Sequence, residues 1–188
     1  MKIGIIGLGF VGLSLTSVLA SKGYDVIGID VDNEKCNKII NGISPFFEPE
    51  LEKTLQNGLK KKLKIENNFS LINTCDFIFV TVGTPQKSNG SIDLSKIKKA
   101  ISTIAENLLK NDKKPIIIIK STVIPGTTKK VILPILEKKL NKKNGKDFEL
   151  ISNPEFLQES NAIKNTKFPH VVVLGGDQTE FMEKTKKL

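Results

Sequence analysis

The stretch Met1–Asp30, MKIGIIGLGFVGLSLTSVLASKGYDVIGID, decides the fold of this chain. A short apolar run over residues 3–6 leads into three glycines at the spacing G-x-G-x-x-G. A helix-like segment over 10–20 follows, and a second apolar run over 26–29 ends at a carboxylate, Asp30. The glycine spacing alone arises often by chance. A strand before it, a helix after it and an acidic strand end together predict a βαβ unit that binds a dinucleotide.

The glycines and the carboxylate have separate physical tasks. Gly7 permits the tight turn out of the strand, Gly9 lets a pyrophosphate approach the backbone, and Gly12 lets the helix lie close to the sheet. The helix N-terminus offers free N–H groups and a positive dipole end to the anion. Asp30 can accept both hydroxyls of a ribose and would repel a 2′-phosphate, which predicts NAD rather than NADP. The alternative is a glycine turn that binds nothing.

Composition and charge exclude several classes of protein. The 188 residues, 39% hydrophobic and 26% charged, are ordinary for one globular domain. No apolar run approaches the ~20 residues that span a bilayer, and the first strand begins at once, so we expect a cytoplasmic protein without a membrane partner. The net charge is +9, but all 29 basic residues are lysines. Specific nucleic-acid readers rely on arginine forks and aromatic platforms, so we expect no nucleic-acid partner.

Cysteine and histidine content argues against a disulfide framework or a metal site. Cys36 and Cys75 are too few for the first, and both are typical of packing residues. His170 is the only histidine, and zinc-type ligand spacing is absent.

Beyond residue 30, strand-like and helix-like segments alternate. We predict strands over 63–66, 75–82, 115–119, 148–152 and 171–174, the last as an edge or antiparallel strand. We predict helices over 34–40, 50–57, 94–108, 127–140 and 177–188, and a short helix near Glu155. The alternation predicts an α/β fold with a doubly wound, mostly parallel sheet, a Rossmann fold, and helices on both faces, in one domain over 1–188.

Polar motifs follow the predicted strands, at the edge where open α/β sheets bind ligands. They are Gly83-Thr84-Pro85, Lys120-Ser121-Thr122 and the segment 153–159. Glu155 and Glu159 are four residues apart, so a helix would place them on one face. Near a nicotinamide, two carboxylates could act as a base or activate water. Equally, they could complement the dipole of a helix N-terminus.

Six motifs in order resemble the N-terminal NAD-binding domain of the UDP-glucose/GDP-mannose dehydrogenase family, across essentially the whole chain. They are GLGFVG, Asp30, FFEPEL, VGTP, KSTVIPGT and SNPEFLQES. The PEFL form is closest to that of the UDP-glucose 6-dehydrogenases. The resemblance implies oxidation of the C6 alcohol of UDP-glucose, or a related UDP or GDP sugar, to the carboxylate with two NAD. The intermediate is a cysteine thioester.

The resemblance also implies roles for individual residues. Glu155 and Thr122 would hold or activate the water, with Glu155 as the general base, and Glu159 would contact both cofactor and sugar. The backbone at Phe156 and Leu157 would lie beside the sugar. The implied cofactor contacts are at the pyrophosphate (Phe10, Val11 and Gly12, in the turn that Gly7 and Gly9 form), at the adenosine ribose (Asp30 and Lys35) and further along (Val82, Thr84, Ser121 and Glu159).

Four positions depart from the family pattern. The family often has glycine where Glu50 and Ser160 stand, arginine where Gln158 stands, and a basic residue where His170 stands. Ser160 is the most consequential, because a glycine there serves a backbone conformation that serine tolerates poorly. These departures bear on the identity of the substrate more than on the reaction.

The family's catalytic cysteine, with its assisting lysine and asparagine, lies in later domains, and neither Cys36 nor Cys75 fits its motif. We therefore expect a central helical domain and a C-terminal nucleotide-sugar domain to lie outside this chain. The chain alone would bind NAD without turnover and remain monomeric, whereas the full-length enzyme would form a homodimer through the central domain. The alternative is a stand-alone NAD-binding sensor or regulatory module, which leaves Glu155 and Glu159 without a task.

Overall fold

The computed structural model describes residues 1–109 and 113–188. Its six strands are β1 (Lys2–Ile6), β2 (Asp25–Ile29), β3 (Leu63–Glu66), β4 (Phe77–Val80), β5 (Ile116–Ile119) and β6 (Glu149–Ser152). The α-helices of these described residues are α1 (Phe10–Ser21), α2 (Asn33–Ile40), α3 (Leu51–Leu59), α4 (Ser95–Leu108), α5 (Leu133–Leu140), α6 (Ala162–Lys167) and α7 (Thr179–Lys186).

The strands form one sheet in the order β3-β2-β1-β4-β5-β6, and every pair of neighbours is parallel. This strand order is that of a doubly wound Rossmann fold, the fold that the sequence predicted. The chain winds outward from β1 in both directions, so the carboxyl ends of β1 and β4 flank the crevice where the strand order reverses. Ligands of this fold bind at that crevice.

Two apolar layers, one on each face of the sheet, form the core. Along β5, Ile116 and Ile118 pack in the layer that includes residues of α1, α3 and α6, and Ile117 and Ile119 pack against α4 and α5. All four isoleucines are at most 4% exposed. A strand covered on both faces is apolar throughout, which explains why this run lacks alternation. Each fully buried isoleucine contributes about 1.5–3 kcal/mol of transfer free energy.

The predicted strand over 171–174 is wrong, and the sheet is parallel throughout. Within residues 1–109 and 113–188, β6 forms a single antiparallel bridge at its outer edge, between Ser152 and Gly175. Val171, Val172 and Val173 are 50%, 55% and 44% exposed. Three consecutive valines match a strand by composition, but the backbone of this segment pairs with β6 only after them, at Gly175.

The predicted short helix near Glu155 is also wrong, because helical structure begins only at Ala162. The N–H of Leu157 donates instead to the Glu155 carboxylate, at 2.7 Å. Such a local bond between side chain and backbone competes with helix formation. Ser160 then turns the chain with a φ of 66°.

The helix predicted over 127–140 forms in two parts. Residues Thr128–Ile132 are π-helical, and the N–H of Leu133 reaches back to the carbonyl of Thr128. Pro134 stands at the start of α5. Proline has no N–H and clashes with the carbonyl four residues earlier, so a wider turn before it avoids that contact.

Across 1–109 and 113–188, every helix is too short or too polar to cross a membrane.

Candidate active site at the carboxyl edge of the sheet

The glycine turn between β1 and α1 has the shape that its spacing predicted. Gly7 has a φ of 94°, and a Cβ added there would meet the backbone of Val82 at 3.0 Å. A Cβ on Gly12 would lie 1.8 Å from the carbonyl oxygen of Gly7 and 2.5 Å from the Thr81 hydroxyl. A Cβ on Gly9 would meet nothing within 4 Å, and Gly9 is exposed. Gly7 and Gly12 are therefore packed positions, whereas Gly9 leaves open space beside the backbone.

The N-terminus of α1 faces that open space. Its first helical hydrogen bond runs from the N–H of Leu13 to the carbonyl of Gly9, at 2.8 Å. The N–H groups of Phe10, Val11 and Gly12 come before this bond, so the helix itself supplies them with no acceptor. Free N–H groups, the positive end of the helix dipole and a glycine without side-chain bulk fit a pyrophosphate.

Asp30, at the end of β2, is buried and held by three donors. Its Oδ2 accepts from the N–H of Leu8 at 2.7 Å and from Lys35 Nζ at 2.9 Å, and its Oδ1 accepts from the N–H of Asp32 at 3.0 Å. Burial raises the pKa of this carboxyl, but the hydrogen bonds from Lys35, Asp32 and Leu8 outweigh it and lower the pKa. The group is a fixed carboxylate tied to the glycine turn.

The same three bonds limit what Asp30 can offer a ribose. A carboxylate has about four acceptor positions. The protein occupies three of them, so two ribose hydroxyls cannot bind there as freely as the sequence alone suggested. Lys35 has further N–H donors beyond the one on Asp30. At the end of β2, Asp30 therefore offers a ribose one remaining acceptor position, and Lys35 beside it offers N–H donors.

Thr81 joins the end of β4 to the glycine turn. Its buried hydroxyl lies 2.9 Å from the carbonyl oxygen of Ile6 and 2.8 Å from that of Gly7. Sequence reasoning gave no role to Thr81, because a threonine at the end of a strand is unremarkable until the turn beside it is known. In the sequence, only its position between the strand and the VGTP motif indicates that Thr81 belongs to the site.

Hydroxyl groups also connect the loops that follow β4 and β5. Ser121 is buried and its Oγ donates to the carbonyl of Val82 at 2.7 Å. The Oγ1 of Thr84 donates to the carbonyl of Thr122 at 2.5 Å. Four residues that the sequence assigned to the site are thereby brought together beside the glycine turn, with the side chain of Thr122 exposed.

A second set of polar contacts joins β5 to β6. Lys120 Nζ donates to Asn153 Oδ1 at 3.1 Å, while the N–H of Asn153 donates to the carbonyl of Ile119 at 2.8 Å. The side-chain amide of Asn153, through Nδ2, also donates to the carbonyl of Val173 at 2.9 Å. Burial lowers the pKa of Lys120, and the negative charge of Glu155 opposes that shift.

A cavity of about 800 Å³ opens beside these contacts. Its lining includes Lys120, Phe156, Leu157, Gln158 and His170. Two of the four departures from the family pattern, Gln158 and His170, therefore border this space.

Glu155 and Glu159 do not share a helix face, contrary to the condition on which their pairing rested. Glu155 is half-buried and bonded to the N–H of Leu157, whereas Glu159 is exposed in the turn before α6. Phe156 and Leu157 line the cavity, whereas Glu155 and Glu159 are not part of its wall.

Glu48 is a residue of this region that sequence reasoning missed. Its side chain is only 6% exposed, its Oε2 accepts from the N–H of Ser160 at 2.9 Å, and its Oε1 accepts from the N–H of Ala162 at 2.8 Å. A glutamate among aromatic and proline residues in the FFEPEL segment was the available signal. The sequence indicated a stiff loop there, but not what its carboxylate contacts.

Glu50 and Ser160, where the family often has glycine, both have left-handed backbones. Their φ values are 62° and 66°. Side chains other than glycine, asparagine and aspartate rarely adopt this region. The inference from the family's glycine to backbone conformation, which was drawn from the sequence for Ser160, is therefore right, and Glu50 has the same conformation.

The two cysteines are buried and unpaired, as packing residues are. Burial raises the pKa of both thiols, that of Cys75 to about 11. A thiol with a raised pKa and no access to solvent is a poor nucleophile.

Comparison with known proteins shows the family to which this chain is related. The model of the UDP-glucose/GDP-mannose dehydrogenase family, NAD binding domain, matches residues 1–188. GDP-mannose 6-dehydrogenase of Pseudomonas syringae pv. tomato is 42% identical over 177 residues, which is 93% of this chain and 40% of that protein. UDP-glucose 6-dehydrogenase of Haloferax volcanii is 33% identical over 175 residues, 93% of this chain and 41% of that protein.

A solved structure gives the same result. The crystal structure of a ternary complex of GDP-mannose dehydrogenase from Pseudomonas aeruginosa superposes with a TM-score of 0.96 at 37% identity, and the match covers all of this chain and 43% of that one. This chain spans about 40% of the length of the two curated relatives named above. The matched family model is that of an NAD-binding domain, so NAD is the cofactor. The chain belongs to the UDP-glucose/GDP-mannose dehydrogenase family, of which it is the NAD-binding domain.

Proposed function

We propose that this chain is the NAD-binding part of a nucleotide-sugar 6-dehydrogenase, an oxidoreductase that converts a C6 alcohol to the carboxylate with two NAD. One observation carries the proposal. Four loops at one edge of the sheet are joined by side-chain and backbone contacts: Thr81 to Gly7, Ser121 to Val82, and Lys120 to Asn153. A cofactor site and a carboxylate, Glu155, therefore belong to one connected edge.

Each group has a task in the proposed reaction. The N–H groups of Phe10, Val11 and Gly12 bind the pyrophosphate, and Asp30 with Lys35 binds the adenosine ribose. Val82, Thr84, Ser121 and Glu159 lie along the rest of the cofactor. When bound, NAD supplies the acceptor for the hydride that leaves C6 of the sugar.

The later half of the reaction involves the proposed water site. A cysteine outside this chain carries the oxidised sugar as a thioester. The Thr122 hydroxyl orients a water molecule, and Glu155 takes its proton as that water attacks the thioester carbon, releasing the thiol and the carboxylate. The backbone at Phe156 and Leu157 holds the sugar. On its own the chain binds NAD without turnover.

The identities to known relatives help to decide between the candidate substrates. The PEFL form favoured UDP-glucose, but the GDP-mannose 6-dehydrogenases of Pseudomonas and Azotobacter are 37–42% identical to this chain. The UDP-glucose 6-dehydrogenase of Haloferax volcanii is 33% identical. We therefore favour GDP-mannose, with UDP-glucose as the second candidate. The proposal retains a homodimer for the full-length enzyme and a cytoplasmic location.

Calorimetric titration of the chain with NAD and NADP tests the cofactor half of the proposal. We expect measurable NAD affinity and weaker NADP affinity, because Asp30 repels a 2′-phosphate. Asp30→Asn removes that charge and should narrow the preference. Equal affinities of the unaltered chain for the two cofactors would refute the role of Asp30.

Titration with nucleotide sugars tests the substrate half. With NAD saturating, GDP-mannose or UDP-glucose at millimolar concentration should shift the amide resonances of Phe156 and Leu157, with weak affinity. A stand-alone NAD sensor would bind NAD as well but would show no such shift. Steady NADH production by the chain with either sugar would contradict the proposed need for a cysteine outside it.

A further inference from the structure

The loop over residues 43–50, which connects α2 to α3, lies between the cofactor turn and the loop over residues 153–160 that carries Glu155. The ring of Phe46 lies 5.9 Å from the ring of Phe10, at the start of α1. Two residues later, the Glu48 carboxylate accepts the N–H groups of Ser160 and Ala162. One short segment thus contacts both sides of the proposed site.

The Glu48 contacts are of a kind that fixes backbone. A buried carboxylate is stable only when its oxygens are hydrogen-bonded, and here each oxygen has a backbone N–H. Hydrogen bonds to a charged acceptor are about twice as strong as those between neutral groups. The partners lie 112 and 114 residues further along the chain. The carboxylate therefore ties two distant segments together.

The tie acts where the second loop is strained. Ser160 has a φ of 66°, a conformation that costs a non-glycine residue on the order of 1–2 kcal/mol and persists only when its surroundings enforce it. Its N–H is one of the two groups that Glu48 holds. On the other side of the 43–50 loop, Glu50 forms an exposed ion pair with Lys167, at 3.1 Å.

We infer that Glu48 is a positioning residue for the reaction: it holds the 153–160 loop so that the Glu155 carboxylate and the backbone of Phe156 and Leu157 keep their place beside the cofactor site. The inference rests on the proposed function, since it gives Glu155 a task. The carboxylate of Glu48 acts through the backbone of Ser160 and Ala162.

A purely structural role is the competing explanation, in which Glu48 only caps the short helix α6. The two explanations predict different behaviour at Leu157, at the other end of the 153–160 loop. The N–H of Leu157 donates to Glu155 Oε2 at 2.7 Å, so its amide resonance reports on the geometry of Glu155. A cap confined to α6 leaves that resonance unchanged, whereas a positioning residue changes it.

The test compares Glu48→Gln with Glu50→Gln in this 188-residue chain. The first keeps the length of the side chain but turns one acceptor into a donor; the second makes the same change two residues away, at an exposed ion pair. In E48Q we expect the amides of Ser160 and Ala162 to exchange at least about tenfold faster. We also expect the Leu157 amide and the Glu155 carboxyl carbon to shift. E50Q should leave all of these near the unaltered values.

The outcomes separate the inference from the proposed function. Unchanged exchange at Ser160 and Ala162, or faster exchange with unchanged signals at Leu157 and Glu155, would overturn the inference. NAD affinity, measured in parallel, should be the same in both variants within about twofold, because Asp30 and the glycine turn are untouched. Loss of NAD binding by the unaltered chain would refute the proposed function and leave the loop result standing.

A measurement on the unaltered chain covers the case in which E48Q does not fold. The amide protons of Ser160 and Ala162 should resonate downfield, as donors to a charged acceptor do, and exchange at least about tenfold more slowly than the amide of Glu159 in the exposed turn. Fast exchange at both amides would contradict the tie itself.

Discussion

At the scale of single residues, Gly9 and Gly12 belong to one fingerprint but differ in what surrounds them. A Cβ on Gly12 would overlap the carbonyl oxygen of Gly7, at 1.8 Å, whereas a Cβ on Gly9 meets only open space. We expect Gly12→Ala to lower the free energy of unfolding by at least about 3 kcal/mol. Gly9→Ala should leave it within about 0.5 kcal/mol.

For NAD affinity we expect the opposite order, with the larger specific effect at Gly9. The Cβ of Gly9→Ala would fill the space that the pyrophosphate needs, so NAD affinity should fall at least about tenfold in a chain that still folds. Urea unfolding and calorimetry together measure both quantities. A G9A chain that binds NAD normally would remove Gly9 from the cofactor site, and a stable G12A chain would contradict the close contact with Gly7.

Ser160 gives a second prediction at this scale. Its backbone is left-handed, with a φ of 66°. Ser160→Gly should relieve that strain and raise the free energy of unfolding, by up to about 1 kcal/mol once the greater entropy of unfolded glycine is subtracted. Ser160→Ala keeps a Cβ and is the control, with little change expected. Equal effects of the two substitutions in urea unfolding would mean that Ser160 is not strained.

At the scale of elements, Thr81 links β4 to the turn that begins α1. Thr81→Val keeps the shape of the side chain but removes the hydroxyl, whose one hydrogen lies between the carbonyl oxygens of Ile6 and Gly7. We expect a loss of about 1–2 kcal/mol in the free energy of unfolding, and weaker NAD binding because the glycine turn is less well held. Thr81→Ser keeps the hydroxyl and should restore NAD affinity. Failure of serine to restore it would show that packing of the methyl group, not the hydrogen bonds, holds the turn.

Sequence patterns predicted the elements whose cause is local or repeated along the chain. The glycine spacing required the β1-turn-α1 unit, and the isoleucines of β5 required a strand covered on both faces. The short helix near Glu155 and the strand over 171–174 were wrong because tertiary contacts decide those segments. Leu157 donates to Glu155, and among the described residues the chain that follows Val171 pairs with the backbone of β6 only at Gly175.

The sequence predicted the candidate site about as fully as it predicted the helices and strands. Position at the carboxyl edge follows from strand order, so Asp30, Ser121 and Glu155 could be assigned to one edge before any coordinates. Partners 112 and 114 residues apart cannot be read from spacing, which is why the contacts of Glu48 were missed. The left-handed Ser160 was predictable only through the glycine of the family.

At the scale of the whole molecule, the two cysteines report on the two faces of the sheet separately. Cys36 lies in the apolar layer with α1 and α3, and Cys75 lies in the layer with α4 and α5. Both are at most 3% exposed, and burial raises the pKa of each thiol. At neutral pH, iodoacetamide should therefore modify each cysteine only when its own layer opens.

NAD then distinguishes opening of one layer from opening of the whole chain. A ligand that binds only the folded state stabilises it by about 2.7 kcal/mol at a free concentration of 100 times Kd, which slows reactions of the unfolded state about 100-fold. If the sheet opens as one unit, NAD should slow alkylation of Cys36 and Cys75 equally, as peptide mass spectrometry can measure. Slowing at Cys36 alone would mean that the α4–α5 layer opens without disturbing the cofactor site, and the two faces would not be one cooperative core.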